Sequence, residues 1–269
     1  MKVKMYKALW GFTHVPWEEL FERIAAAGYD GVEALVPPRE EEARFRRLLD
    51  QYQLDYIPQI YTDGDHKATF RERLARAAEF GPAKVNSHSA KDWWEFDAQR
   101  DFFDYAMKVE QEFGVPVAHE THRNRATYSA WSTAKLLREF PEMKITADFS
   151  HWVVVSETLL EDQMENVTLA MDRAIHIHAR VGFHHGPQVP DPRAPEYAPL
   201  LAKHVSWWDE IVRRHKARGE TVVTVDPEFG PPAYLHTLPY TKQPLADLWD
   251  VCLWMAEYYR DHVQKTDWS

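Results

Sequence analysis

The sequence predicts an α/β fold, a closed barrel of eight parallel strands alternating with eight helices. Short β-rich runs alternate with longer amphipathic runs about eight times along the chain. The length of 269 residues suits one such barrel, which typically runs to roughly 250 residues. The runner-up, an open doubly wound sheet, is disfavoured because no Gly-x-Gly-x-x-Gly follows the first strand. Residues 1–269 are therefore expected to form a single domain.

Val3 to Leu9 reads as the first strand. Pro16 stands at a first helical position, where a missing N–H is harmless, and Trp17, Leu20, Phe21 and Ile24 recur at helical spacing until Gly28. Gly31 to Leu35 is the second strand and Arg39 to Tyr52 a charged helix. Leu54 to Tyr61, the helix Phe70 to Phe80, the strand Ala83 to Ser87 and the long helix Phe96 to Phe113 follow, with Gly114 ending the last. In the second half, strands Val115 to Glu120, Lys144 to Phe149, Ala174 to Ala179 and Thr221 to Val225 alternate with helices Trp131 to Phe140, Leu159 to Ala170 and Val205 to Arg218. Leu245 to His262 closes the chain. The proline-rich stretch Gly182 to Pro199 is irregular and leaves from the rim that carries the strand ends. A loop that long in a compact domain is usually functional, so it is expected to form one wall of a substrate pocket.

Composition narrows the function. The chain is 45% hydrophobic and 13% aromatic, enough for a large core, which excludes disorder as the main state. The single cysteine, Cys252, lies in an apolar run and excludes both a disulfide framework and a thiolate zinc centre. Lys and Arg number 32 against 42 Asp and Glu, a net charge of −10, and no basic run exceeds two residues. Nucleic-acid partners are disfavoured on that ground. Met1 to Trp10 lacks the apolar stretch of a signal peptide, and no segment approaches the roughly 18 apolar residues of a membrane span. The expectation is a cytoplasmic protein with a small-molecule substrate, no membrane and no nucleic-acid partner; a homo-oligomer is left open.

In barrels of this kind the chemistry sits at the C-terminal strand ends. The fifth strand ends Ala118-His119-Glu120-Thr121-His122 and the sixth Ala147-Asp148-Phe149-Ser150-His151. The seventh runs Ile175-His176-Ile177-His178-Ala179-Arg180, and the eighth ends Val225-Asp226-Pro227-Glu228. One acid or imidazole at a strand end is commonly a helix cap or a solvated loop residue. Four successive strands delivering them to one rim is different, because crowded carboxylates repel until a divalent cation neutralises them. Three carboxylates and one imidazole make a mostly hard site suited to Mn²⁺, Mg²⁺ or Co²⁺, with Zn²⁺ as the alternative. His176 and His178 are read as alternating between opposite faces of their strand, so that one alone reaches the metal. His178, nearer the strand end, is chosen.

These residues give the chain a close resemblance to the xylose isomerase-like TIM-barrel superfamily of sugar phosphate isomerases, sugar epimerases and relatives. The resemblance rests on Asp148-Phe-Ser-His151, on the apolar-His tail Ile177-His178, on Glu228 closing the eighth strand, and on Gly28-Tyr-Asp-Gly-Val-Glu33 at the second. It implies one divalent metal held by Glu120, Asp148, His178 and Glu228. The segment after Arg180 departs from the short Glu-x-x-Arg of keto-sugar 3-epimerases, so the sugar stays open.

The chemistry these residues permit is proton transfer next to a carbonyl. Glu120 and Glu228 would exchange a proton with carbon through an enediolate, and His151 would hydrogen-bond the developing oxyanion. Arg180, His88, His122 and Trp10 are candidate substrate ligands, with His151 doubling in that role. Phe12, Tyr61 and Trp152 are further rim aromatics. The Phe-Gly-Pro-Pro-Ala run after Glu228 lacks the N–H groups that cradle phosphate, which favours an unphosphorylated sugar. The expected activity is a sugar isomerase or epimerase, with a metal-dependent lyase or dehydratase as the alternative. A phosphodiester-cleaving endonuclease and a catalytically silent sugar-binding barrel are weaker rivals.

Overall fold

The structure, a computed structural model, describes residues 1–268. Eight strands hydrogen-bond in sequence order, all parallel, and β8 returns to β1 to close the barrel. They are β1 (Lys2–Ala8), β2 (Gly31–Leu35), β3 (Asp55–Tyr61), β4 (Val85–His88), β5 (Val117–Glu120), β6 (Lys144–Ala147), β7 (Ala174–His178) and β8 (Val222–Asp226). The helices are α1 (Trp17–Ala26), α2 (Glu42–Tyr52), α3 (His66–Ala78), α4 (Phe96–Phe113), α5 (Ala130–Glu139), α6 (Ser150–Ser156), α7 (Met164–Arg173), α8 (Ala198–Ala217) and α9 (Leu248–Lys265). No helix among the described residues is long and apolar enough to cross a membrane.

Helix ends follow local chemistry. The side chain of Asp65 accepts from Ala68 N, which starts α3 a turn before the expected Phe70. Ser129 caps α5 and Asp247 caps α9 in the same way. Gly114 ends α4 at φ 65°, a left-handed conformation that glycine adopts without a Cβ clash.

Two elements depart from expectation. The connection between β6 and β7 holds two helices, because Ser150–Ser156 coils immediately after Asp148 instead of extending the strand. Its sequence, Ser-His-Trp-Val-Val-Val-Ser, reads as β by propensity, and burial of Trp152 and Val153 outweighs that preference. Helix α8 begins at Ala198, not Val205. Pro199 lies in its first turn, where the absent N–H has no helical partner to lose, so the proline marks a helix start and not a loop.

Alternation along the strands separates two layers. Outward side chains such as Ile145, Val117 and Ile177 join the apolar layer beneath the helices. Much of the inward set is polar, and it is hydrogen-bonded. Asn86 donates to Glu33 Oε1 at 2.7 Å and to Glu120 Oε2 at 2.8 Å, and accepts from Thr146 Oγ1 at 2.8 Å. Burying such groups is tolerated only when they are paired, and this connected set makes the barrel axis rigid and polar up to the rim.

Candidate metal centre and substrate pocket

His176 and His178 are two residues apart on β7, so both side chains point into the barrel. The expected opposition of faces is wrong, because opposite faces belong to neighbours, not to i and i+2. Both imidazoles meet one carboxylate. His176 Nε2 donates to Glu33 Oε2 at 2.9 Å, and His178 Nε2 lies 3.2 Å from each Glu33 oxygen. With Nε2 committed to Glu33, the ring presents Nδ1 to the rim. There Nδ1 stands 3.2 Å from Glu228 Oε2, 3.7 Å from Glu120 Oε2 and 3.9 Å from Asp148 Oδ2.

One ligand atom from each of Glu120, Asp148, His178 and Glu228 lies within 4.8 Å of the others, and all four residues are buried. His176 sits one layer deeper, in a separate group with Glu33 and His178. Its Nδ1 faces the Thr224 hydroxyl at 2.8 Å, and that hydroxyl accepts from Lys84 Nζ at 3.0 Å. Glu33 is the residue that the sequence reading underused. It entered as a motif match, yet it ties β2 to β7 and sets which nitrogen of His178 is free.

The donor set fits a hard divalent ion. Glu120 Oε1 and His178 Nδ1 are buried and have no hydrogen-bond partner among the described residues. Glu120 is held at its other oxygen by Asn86 and by His88 Nε2 at 2.7 Å. Burial opposes ionisation of Glu120, but His88 and His178 outweigh it and keep the carboxyl well below the usual range. Burial likewise opposes a charged His178, yet Glu228, Glu33 and Glu120 hold its pKa well above that of a free imidazole. The site therefore attracts positive charge strongly. Asp148 is pushed up to about 6, chiefly by burial, against the pull of Arg180 and His178.

Arg180 completes the rim. Its Nη2 pairs with Asp148 Oδ2 and lies 2.7 Å from His151 Nε2, while Nη1 lies 3.4 Å from Glu228 Oε2. Asp148 is thus no bare rim residue; it anchors a buried guanidinium and accepts from Ser150 N at 3.2 Å. His151 is fully buried, on α6. Burial, with His122 and Arg180 nearby, drives its pKa well below the normal imidazole range, so it is neutral.

A cavity of about 750 Å³ opens onto this cluster. It reaches Trp10, His88, Glu120, His122, Arg180 and Glu228, while Asp148, His151 and His178 lie behind its surface. His122 stacks near His88, with ring centres 4.6 Å apart, and burial together with His88 takes its pKa down to about 3. Phe12 and Tyr61 line the cavity as expected. Trp152 does not; it is buried against Phe149 and donates to Thr127 O at 2.9 Å.

The segment after Arg180 also corrects an expectation. None of residues 182–199 lines the cavity. Instead Gln188 is buried and clamps the β8 loop, accepting from Gly230 N at 2.7 Å and donating to Gly230 O at 3.3 Å. The loop so held carries Tyr234, which packs edge-on to Trp10 at 5.4 Å and under the Arg180 guanidinium at 5.0 Å. A Cβ at Gly230 would be driven into the Trp10 ring. Gly230→Ala is therefore expected to displace Trp10 and to cost about 1–3 kcal/mol by overpacking, read as a changed tryptophan emission and a lower urea midpoint.

The fold and the rim can be set beside known proteins. The family model described as xylose isomerase-like TIM barrel matches residues 21–195. The chain belongs to that family. No curated protein matches it by sequence. Among solved structures, a probable 3-DHS dehydratase from Bacillus anthracis is 18% identical with a TM-score of 0.63, over 98% of this chain and 100% of that one. A D-allulose 3-epimerase from Methylomonas sp., solved with D-allulose, is 15% identical at a TM-score of 0.61 over 97% of each chain. A xylose isomerase-like TIM barrel protein from Mycobacterium smegmatis, in complex with magnesium, is 13% identical at 0.64, over 96% and 95%. At these identities the likeness establishes the barrel, while the chemistry of its members differs.

Proposed function

We propose that this protein is a divalent-metal-dependent sugar isomerase or epimerase that moves a proton between carbon and glutamate on an unphosphorylated sugar or keto-sugar. The observation that carries the reading is the buried set Glu120, Asp148, His178 and Glu228, with unpartnered atoms on Glu120 and His178, at the inner end of a cavity of about 750 Å³ that Glu120 and Glu228 line. Mn²⁺, Mg²⁺ or Co²⁺ suits three carboxylates and one imidazole best, with Zn²⁺ as the alternative. When bound there, such an ion supplies Lewis acidity that weakens the C–H bond beside a carbonyl.

The protein's own groups do the rest. Glu120 and Glu228 come from β5 and from the end of β8, and both line the cavity. In this reading one takes the proton from carbon and the other returns it, either to the opposite face of the same carbon or to its neighbour. Asn86 and His88 fix the Glu120 carboxylate, so little reorganisation accompanies the transfer. Arg180 and the unpartnered Trp10 Nε1 are donors placed to hold hydroxyl oxygens, while neutral His122, whose Nδ1 proton goes to Arg123 O, offers Nε2 as an acceptor for a hydroxyl. His151, neutral and in contact with Arg180, steadies that guanidinium. The apolar stretches of the cavity wall support a substrate without phosphate.

Metal-loaded protein incubated in D₂O with a panel of free ketoses, aldoses and 3-keto sugars tests this by NMR. Deuterium should enter a single carbon of one substrate. An unsaturated product would point to the lyase alternative, and no exchange with any member of the panel would overturn the proposal.

A further inference from the structure

The cavity is much less polar at one end than at the other. Around the rim cluster it presents Glu120, His122, His88, Arg180 and Glu228; toward the ends of β1 and β2 it is walled by Leu9, Phe12, Trp17, Val36, Pro37 and Phe45. None of those six bears an ionisable group. The wall is also rigid. Phe12 meets Trp249 edge-on at 5.8 Å, with Lys7 Nζ 4.5 Å from its ring centre, and Trp17 meets Phe45 edge-on at 5.3 Å. Leu35, 53% exposed, stands at the mouth of this arm with Tyr61, which explains two large apolar side chains left in contact with water. The polar side chains near the arm are engaged elsewhere or peripheral: the Glu33 carboxylate on β2 is taken up by His176 and His178, Thr13 is exposed and Gln59 is turned to His88 at 3.4 Å.

A bare sugar does not suit this arm. A sugar ring can lay one C–H face on an aromatic side chain, but hydroxyls surround its edge, and in an arm walled by apolar groups on several sides those hydroxyls lose water without gaining a partner. At about 750 Å³ the cavity also falls in the upper part of the range that holds drug-sized ligands. We propose that the substrate is a keto-sugar bearing an apolar substituent, an aryl or alkyl group joined as in a glycoside, with its ketone on a ring carbon other than the anomeric one, the sugar ring over the rim cluster and the substituent in the β1–β2 arm. This rests on the reading of Glu120, Asp148, His178 and Glu228 as the reacting end.

Calorimetric titration of the whole protein, with Mg²⁺ present, tests it. The probes are glucose, galactose and xylose, their phenyl β-glycosides, and phenol alone. At least one phenyl glycoside should bind tenfold or more tighter than its parent sugar, as burial of a phenyl face implies, and tighter than phenol. Val36→Asp should bring the glycoside back toward the parent sugar; Leu35→Asp, at the exposed mouth, serves if the first variant does not fold. Equal binding of glycoside and free sugar overturns the inference, and so does phenol binding as tightly as the glycoside. A dimer that Leu35→Asp converts to monomer, seen by sedimentation, also overturns it, since a second copy would then fill the arm. The two readings fail separately. Deuterium exchange into free sugars or 3-keto glycosides without a phenyl preference removes only the arm, while a phenyl preference without exchange into any free sugar or phenyl 3-keto-glycoside removes only the proton-transfer chemistry.

Discussion

Glu33→Ala is expected to destabilise the barrel by about 3–5 kcal/mol, the cost of stripping a buried charge cluster of one partner. The variant leaves His176 and His178 without an acceptor for Nε2 and leaves Asn86 Nδ2 with Glu120 alone. Burial opposes ionisation of Glu33, yet His178 and His176 hold its carboxyl down to about 2, so the lost group is a full charge. Metal affinity should fall as well, by roughly 10–100-fold, because nothing then fixes the tautomer of His178. Glu33→Gln keeps the volume and one acceptor oxygen, so it should lose less stability. Urea unfolding and a Mn²⁺ titration of both variants check these expectations, and an Ala variant as stable as the parent would contradict them.

Glu120→Gln, assayed at saturating metal, is expected to lower solvent-deuterium exchange by roughly 10²–10⁴-fold, the usual worth of a positioned general base. The amide keeps the shape and can still pair with Asn86 and His88, so the fold should be retained. The loss should appear in kcat as well as in kcat/KM, because the missing group acts on the reacting carbon and does more than bind substrate. Exchange at the parent rate would remove Glu120 from the proposed proton path.

Much of this was legible in the sequence, and the exceptions have physical reasons. The barrel could be read because each strand is a short apolar run separated from the next by an amphipathic one. Glu120, Asp148, His178 and Glu228 could be singled out because they finish such runs and so share a rim. The interior network could not, since Glu33 and His176 meet across the barrel, 143 residues apart in sequence, and nothing local marks that pairing. The facing of His176 follows from period-two geometry, which puts it on the same side of β7 as His178. The clamp of Gln188 on Gly230 and the apolar arm depend on how loops fold over the rim, which propensity does not encode. Helix α6 was hidden because its β-branched run is helical only through burial against neighbouring elements.

The central claim is that Glu120, Asp148, His178 and Glu228 hold one divalent ion through a single imidazole nitrogen. Pulsed electron paramagnetic resonance of Mn²⁺-loaded protein, with the ion counted by elemental analysis, tests it most directly. The expected result is one Mn²⁺ per chain with ¹⁴N coupling from one histidine, lost in His178→Ala and kept in His176→Ala. A protein that takes up no stoichiometric ion, or a nitrogen coupling that survives His178→Ala, would contradict it.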